Sequence, residues 1–205
     1  LLVKKKLSAK TVRNIHGILR NMLESAIRDE LLLRNISERC SLPRVMQHQV
    51  RAITTAELSR FLQAIYGKQF RNISFIDIFS GLRLSKILGL RWEDVDFDHD
   101  CIYVRQQLQQ KQVKGDFGYF LAPPKEGKQR KVILAQNAMR VLRHQRVKQN
   151  EQQLAADMLW DNSFHLVFTN DFGQPLNRRT VYKHLKRILL DCDMGNYTLW
   201  PIGFR

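Results

Sequence analysis

The stretch Phe79-Ser80-Gly81-Leu82-Arg83-Leu84-Ser85-Lys86-Ile87-Leu88-Gly89-Leu90-Arg91-Trp92-Glu93-Asp94-Val95-Asp96 is where the chain changes texture. Before it, the apolar spacing predicts a helix from about Phe70 to Phe79. Ser80-Gly81 is a natural stop, because glycine readily takes the left-handed backbone that ends helices. A short helix from Leu84 to Leu90 follows. Beyond it the apolar period becomes two: Ile102 and Val104, then Phe117, Tyr119 and Leu121, then Val132 and Leu134. These predict three short strands in an antiparallel meander, separated by polar turns carrying Gly115 and Gly127. Arg83 falls just past the helix-ending glycine, in apolar surroundings. A guanidinium cannot shed its charge there and needs an anion. That anion is either a carboxylate, such as Asp77 or Asp94, or a phosphate held by two parallel hydrogen bonds.

Reading outward, Ser8 is a candidate N-cap for a helix running to about Leu31, with Val12, Ile15, Ile18, Leu19, Met22, Leu23, Ala26 and Ile27 on one face. Lys10, Arg13 and Arg20 mark its polar side. Pro43 and the segment 47–51 read as a linker, placing a domain boundary near residue 50. Thr54 and Glu57 then form a Thr-x-x-Glu capping box, opening a helix to about Tyr66. After the strands, helical spacing returns from about Asn137 to Ala156. A brief apolar run, Leu166-Val167-Phe168, and a turn at Gly173 precede a last helix capped by Asn177, with Val181, Leu185, Ile188 and Leu189 facing inward. The expected fold is mainly α with a small antiparallel three-stranded sheet.

The charge balance narrows the partner. Lys and Arg total 34 against 19 acidic residues, a net charge of +15 and a pI near 10.1. Such a surplus favours polyanions, and nucleic acid first among them. Residues 1–50 hold ten basic and four acidic side chains and 51–205 hold 24 and 15, so both parts are positive, as suits a grip on a duplex from two sides. Several chemistries fall away. Cys40, Cys101 and Cys192 are far apart, so neither a zinc site nor a disulfide framework is indicated, and reduced buried thiols in a cytoplasmic protein are expected. Asp94, Asp96, Asp98 and Asp100 alternate like a calcium loop, but His99 stands where that loop needs glycine and Arg105 where it needs glutamate. A solvated turn before a strand fits better. The six histidines show no paired spacing, and no phosphate-cradling glycine loop occurs, so neither a metal nor a nucleotide cofactor is expected. No apolar run approaches the roughly 18 residues of a spanning helix, so no membrane partner is expected. The chain opens on Leu1 rather than Met, and the natural N-terminus is expected upstream.

Lys125 lies in Ala122-Pro123-Pro124-Lys125-Glu126-Gly127-Lys128-Gln129-Arg130, the turn between the second and third predicted strands. A lysine on a hairpin tip can reach a phosphate or donate a proton to a leaving oxygen, or it can be a solvated basic turn.

Four strings together resemble the tyrosine recombinase, or phage integrase, family, of lambda-integrase type. They are Leu7-Ser8-Ala9-Lys10-Thr11-Val12-Arg13-Asn14-Ile15; Ser80 to Asp96 as quoted above; Pro124-Lys125-Glu126-Gly127-Lys128-Gln129-Arg130-Lys131-Val132; and Val167-Phe168-Thr169 leading to Gly173-Gln174-Pro175-Leu176. The resemblance implies that residues 1–50 are the last part of a helical, SAM-like core-binding domain. It likewise implies that 51–205 are a catalytic domain incomplete at its C-terminus. It implies site-specific recombination of double-stranded DNA without metal or ATP, by a family that assembles as homo-oligomers on its substrate. A tyrosine attacks the phosphodiester, two arginines neutralise the pentacoordinate phosphate, and a lysine protonates the leaving oxygen. By position Arg83 matches the first arginine, Lys125 the lysine and Arg205 the second arginine. Lys10, Arg13, Arg178, Arg179 and Lys183 are candidate phosphate contacts.

The departures are specific. Where the family usually has Gly-Glu, this chain has Ser85-Lys86, which removes a carboxylate beside Arg83 and adds a repelling cation. Where the family has His-x-x-Arg, Ile202 replaces the histidine before Arg205. Tyr66, Tyr103, Tyr119, Tyr182 and Tyr197 all precede Arg205, and none matches the nucleophile motif. The expectation is a recombinase body that binds DNA without cleaving it, from a phage or mobile element. The alternative is a non-catalytic DNA-binding regulator or remnant of an integrase.

Overall fold

The computed structural model describes residues 7–46, 53–111, 118–124, 127 and 129–194. The chain divides into two compact units, residues 1–50 and 51–205.

The first unit is built on α1 (Ala9–Arg28). The Ser8 hydroxyl accepts from the Thr11 amide at 3.1 Å, so the helix starts where the cap places it. It ends before Leu31. Glu30 takes the left-handed conformation (φ 58°). The amides of Glu30 and Leu31 then fold back onto the carbonyls of Ile27 and Ala26, at 3.0 and 2.8 Å. This is a Schellman closure with a glutamate in the position glycine usually takes, so the sequence carries no visible stop. A 3-10 turn, Ile36–Arg39, packs on α1 through polar contacts. The Asn35 amide donates to Glu24 Oε1 (2.7 Å) and the Arg20 carbonyl (3.2 Å). Its oxygen accepts from the amide and hydroxyl of Ser37, at 3.1 and 2.6 Å. The apolar face of α1 contributes no buried residue.

The second unit has an apolar core. α2 (Thr55–Ala64) opens with both halves of the capping box: the Glu57 amide donates to Thr54 Oγ1, and the Thr54 amide to Glu57 Oε2. α3 (Arg71–Ser80) stops at Gly81, whose φ of 59° is left-handed. α4 (Leu84–Leu88) follows at once, with Arg83 as its N-cap residue. Later come α5 (Gln136–Ala156) and α6 (Arg178–Asp191). The Asn177 side chain caps α6 by accepting from the Arg179 amide at 2.8 Å. Val181, Leu185, Ile188 and Leu189 are buried as their spacing requires.

The strands depart from the expected meander. Among the described residues there are five: β1 (Val95–Asp96), β2 (Cys101–Val104), β3 (Gln107–Gln110), β4 (Tyr119–Ala122) and β5 (Arg130–Ile133). A three-stranded antiparallel sheet does form, in the order β1-β2-β5, while β3 and β4 make a separate two-stranded ribbon. Leu134, expected in the third strand, lies just past the end of β5. The segment between β4 and β5 therefore joins two sheets and is not the tip of a hairpin. The reason lies in β3. Its sequence, Gln107-Leu108-Gln109-Gln110, shows only one apolar side chain, yet Leu108 is buried and all four residues pair with Tyr119–Ala122.

Gly89 fixes α4 against this ribbon. A methyl group there would lie 2.5 Å from the Leu108 amide nitrogen and 2.9 Å from the Gln107 backbone. Only a residue without a side chain permits that approach.

α5 supplies a second feature with no sequence signal. Gln145 and Gln149 are buried. The Gln149 amide donates toward the Leu166 and Val167 carbonyls, at 3.1 and 3.3 Å, and the Gln145 amide toward Val167, at 3.2 Å. Gln149 Oε1 accepts from the Trp92 indole at 2.6 Å. The apolar run Leu166–Phe168 is thus satisfied partly by helix side chains and partly by a bridge between Leu166 and Arg91.

Cys101 and Cys192 are buried free thiols, but Cys40 is exposed, because the segment after the Ile36–Arg39 turn has no apolar layer to enter. No helix among the described residues is long and apolar enough to cross a membrane.

Candidate nucleic-acid interface

Arg83 is set by the junction of two helices. Gly81 ends α3, Leu82 is fully buried, and Arg83 takes an extended backbone (φ −68°, ψ 141°) before α4 begins. Its side chain is exposed, and it forms no ion pair among the described residues. The two carboxylates that could have neutralised it are otherwise occupied. Asp94 is 1% exposed and accepts from Arg105 Nη1 (2.9 Å) and Gln106 Nε2 (3.2 Å). Burial pushes the Asp77 carboxyl up to about 8, so at neutral pH it is mostly uncharged. The sequence placed Arg83 in apolar surroundings, but its side chain is exposed to water, and neither of these carboxylates pairs with it.

Lys86 lies one turn further on, its amide bonded to the Arg83 carbonyl at 2.7 Å. Its side chain is half-buried. Burial, then repulsion from Arg130 on β5 and from Arg83, lowers its ammonium below the usual lysine range. The Ser85-Lys86 departure is therefore felt physically as like charges in proximity.

Lys125 and Arg205 lie outside the described residues, as do Ile202 and Tyr197. Beside Lys125, the Gly127 amide donates to the Pro124 carbonyl at 2.8 Å. The remaining candidates are all exposed: Lys10 and Arg13 on α1, Arg178, Arg179 and Lys183 on α6. Arg13 Nε donates to the Pro43 carbonyl at 2.8 Å, which holds its stem in place. Arg178 and Arg179 occupy the first turn of α6, where the helix dipole disfavours cations. None of the five forms an ion pair among the described residues.

Sequence reasoning passed over a basic ladder on β2 and β5. Tyr103 pairs with Lys131 across the strands. Arg105 and Lys131 lie over its ring, with centroid distances of 5.1 and 6.0 Å. The clue available was an aromatic residue interleaved with cations at period two. The aspartate series is a turn, as expected: Asp96 Oδ1 accepts from the amides of Asp98 and His99, at 3.1 and 3.0 Å. No cluster of metal-ligating side chains occurs among the described residues.

The chain belongs to the phage integrase family, whose model matches residues 49–198. It is 22% identical over 196 residues to a tyrosine recombinase XerC-like protein of Caldanaerobacter subterraneus subsp. tengcongensis, covering 89% of this chain and 50% of that one. It is 23% identical over 195 residues to an integrase of Streptomyces ambofaciens, covering 95% and 50%. The chain thus spans about half the length of these curated relatives. Among solved structures, the Tn1549 transposon integrase in complex with transposon right end DNA superposes with a TM-score of 0.76 at 22% identity, over 96% of this chain and 63% of that one. Lambda integrase bound to a core site gives 0.54 at 14% identity, over 95% and 62%. These likenesses fix the fold as that of the tyrosine recombinases.

Proposed function

We propose that this chain is the DNA-gripping body of an integrase that acts in site-specific recombination, and that Arg83 holds a backbone phosphate of double-stranded DNA. The observation that carries the reading is the state of Arg83: exposed, fixed between two helix ends and without a carboxylate partner among the described residues. An arginine so held is suited to two parallel hydrogen bonds to a phosphate. Lys10 and Arg13 on one unit, and Arg178, Arg179 and Lys183 on the other, add contacts that position the duplex without reading its sequence. Lys125 and Arg205 complete the set of phosphate-neutralising cations. Self-association on DNA and a phage or mobile-element origin belong to the same reading. The 205 residues by themselves bind without cleaving, since none of their tyrosines matches the nucleophile motif.

The test is a gel-shift titration against an inverted-repeat duplex and against RNA of the same sequence, at several salt concentrations. Tighter binding to the duplex is expected, with affinity falling steeply as salt rises. Arg83→Ala should weaken duplex binding on the order of tenfold or more, as loss of a charged hydrogen-bonding partner does. A nicked suicide duplex should trap no covalent adduct with the 205-residue chain. Equal binding to RNA, or an Arg83→Ala protein that binds as the wild type does, would end this reading.

A further inference from the structure

We propose that a cavity of about 290 Å³ beside the first turn of α3 is a second anion site, one that takes a small phosphomonoester with an apolar body. It lies wholly within the second unit and goes beyond the DNA-binding reading.

The cavity is walled by the loop before α3, one face of α5 and the segment that follows Leu166–Phe168. Lys68 and Arg71 come from the loop and the start of α3. Lys148 comes from α5, one turn beyond His144 and on the same face. The floor is apolar, made by the buried side chains of Ile73, Phe168 and Leu176. Between floor and rim, Asn72 Nδ2 donates to Gln145 Oε1 at 2.8 Å and ties α3 to α5. Gln145 is itself buried. Its Nε2 gives one hydrogen to the Val167 carbonyl at 3.2 Å, and the described residues show no acceptor for the other.

Three permanent cations face one carboxylate in this lining. That carboxylate, Asp171, accepts from Gln152 Nε2 at 2.6 Å. Lys68, Arg71 and Lys148 form no ion pair among the described residues. The Arg71 guanidinium lies over the Tyr66 ring, 5.2 Å from its centroid. Stacking engages the face of the guanidinium and leaves its edge donors for an oxyanion. A phosphomonoester brings three strong acceptor oxygens and close to two negative charges, which matches three cations better than a carboxylate does.

A basic rim that was merely solvated would need no apolar floor beneath it. An apolar cavity with a few convergent polar groups is the usual form of a small-ligand site, and this one is near the lower end of their range in volume. Arg83 lies past the opposite end of α3, whose ten residues rise about 15 Å, so the cavity is distinct from the proposed grip on DNA.

The experiment titrates phenyl phosphate, inorganic phosphate and phenol into the 205-residue chain by calorimetry, at constant ionic strength in chloride. Phenyl phosphate should bind at one site. Inorganic phosphate should bind about tenfold more weakly, for want of the apolar floor, and phenol should not bind measurably. Arg71→Gln and Lys148→Gln should each weaken phenyl phosphate on the order of tenfold. Lys186→Gln, which removes an exposed cation of α6, should leave its affinity unchanged. Unliganded melts guard against misfolded variants. In the wild type, the side-chain amide resonances of Asn72 and Gln145 should move on titration, a readout that needs no variant.

Unaltered affinity in both Arg71→Gln and Lys148→Gln, or amide resonances that stay in place, would overturn the site. Equal affinity for phenyl phosphate and inorganic phosphate would overturn the apolar body. An equal loss in Lys186→Gln would reduce the effect to net charge. Displacement of phenyl phosphate by duplex DNA would make the cavity part of the DNA surface and overturn its independence. Failure of the chain to bind any duplex would remove the DNA-binding reading and leave this site standing.

Discussion

α1 in the first unit and α6 in the second follow the same rule of apolar spacing, yet they end in opposite circumstances. On α6, Val181, Leu185 and Leu189 are at most 2% exposed. On α1, Ile18 and Met22 are each 64% exposed, and the contacts that hold the neighbouring turn are hydrogen bonds centred on Asn35. Periodicity specifies a helix and its apolar face. It does not specify what, if anything, covers that face. The first unit is tied by a polar knot, the second by a hydrophobic core in which α2, α3, α4, α5 and α6 all take part.

This contrast can be broken by mutation. Leu185→Ala removes a side chain 2% exposed in the core and should cost about 2–5 kcal/mol in denaturant unfolding of the second unit. A smaller loss would mean that the core there is loosely packed. Asp77 gives the next effect, and its sign is definite. Its carboxyl is raised from 3.8 to about 8 in the folded chain, so between those values the folded form keeps a proton that the unfolded form has released. Stability is therefore full below the lower value and declines as pH rises through the window, by on the order of 1.4 kcal/mol per pH unit. Asp77→Asn should flatten that decline in thermal melts between pH 5 and pH 8, pH values chosen within about the same window. A wild type that melts independently of pH there would show that Asp77 is not the buried acid described. In the first unit, Asn35→Ala should free the Ile36–Arg39 turn at a cost of about 1–3 kcal/mol, read by amide exchange of Ser37 and Cys40. Ile18→Ala should change stability by less than about 0.5 kcal/mol, since the side chain is already mostly in water.

Much of the fold was legible because local chemistry decided it. The Thr54 box, the Gly81 stop and the Asn177 cap each bond the backbone within a few residues of themselves, so their signals survive in a linear string. What was illegible depended on partners distant in sequence. β3 looked polar because its pairing with β4, rather than its own composition, makes it a strand. Nothing in the helical spacing of 137–156 singled out Gln145 and Gln149, which the backbone carbonyls of Leu166 and Val167 claim. The glutamate at the end of α1 terminates a helix that only a glycine would have advertised. Of the proposed site, Arg83 was singled out by its place after a glycine together with the family resemblance, and Lys10, Arg13, Arg178, Arg179 and Lys183 as cations on charged helix faces. Lys125 and Arg205 lie outside the described residues.

The two buried glutamines of α5 have a further consequence. An extended segment such as Leu166–Phe168, bridged on one side to Arg91, would ordinarily present open carbonyls onto which a foreign strand could add. Here the side-chain amides of Gln145 and Gln149 already occupy those acceptors, and α5 stands where an intruding strand would have to lie. The helix thus works as a guard rail against β-aggregation in a protein whose β-structure is small and short.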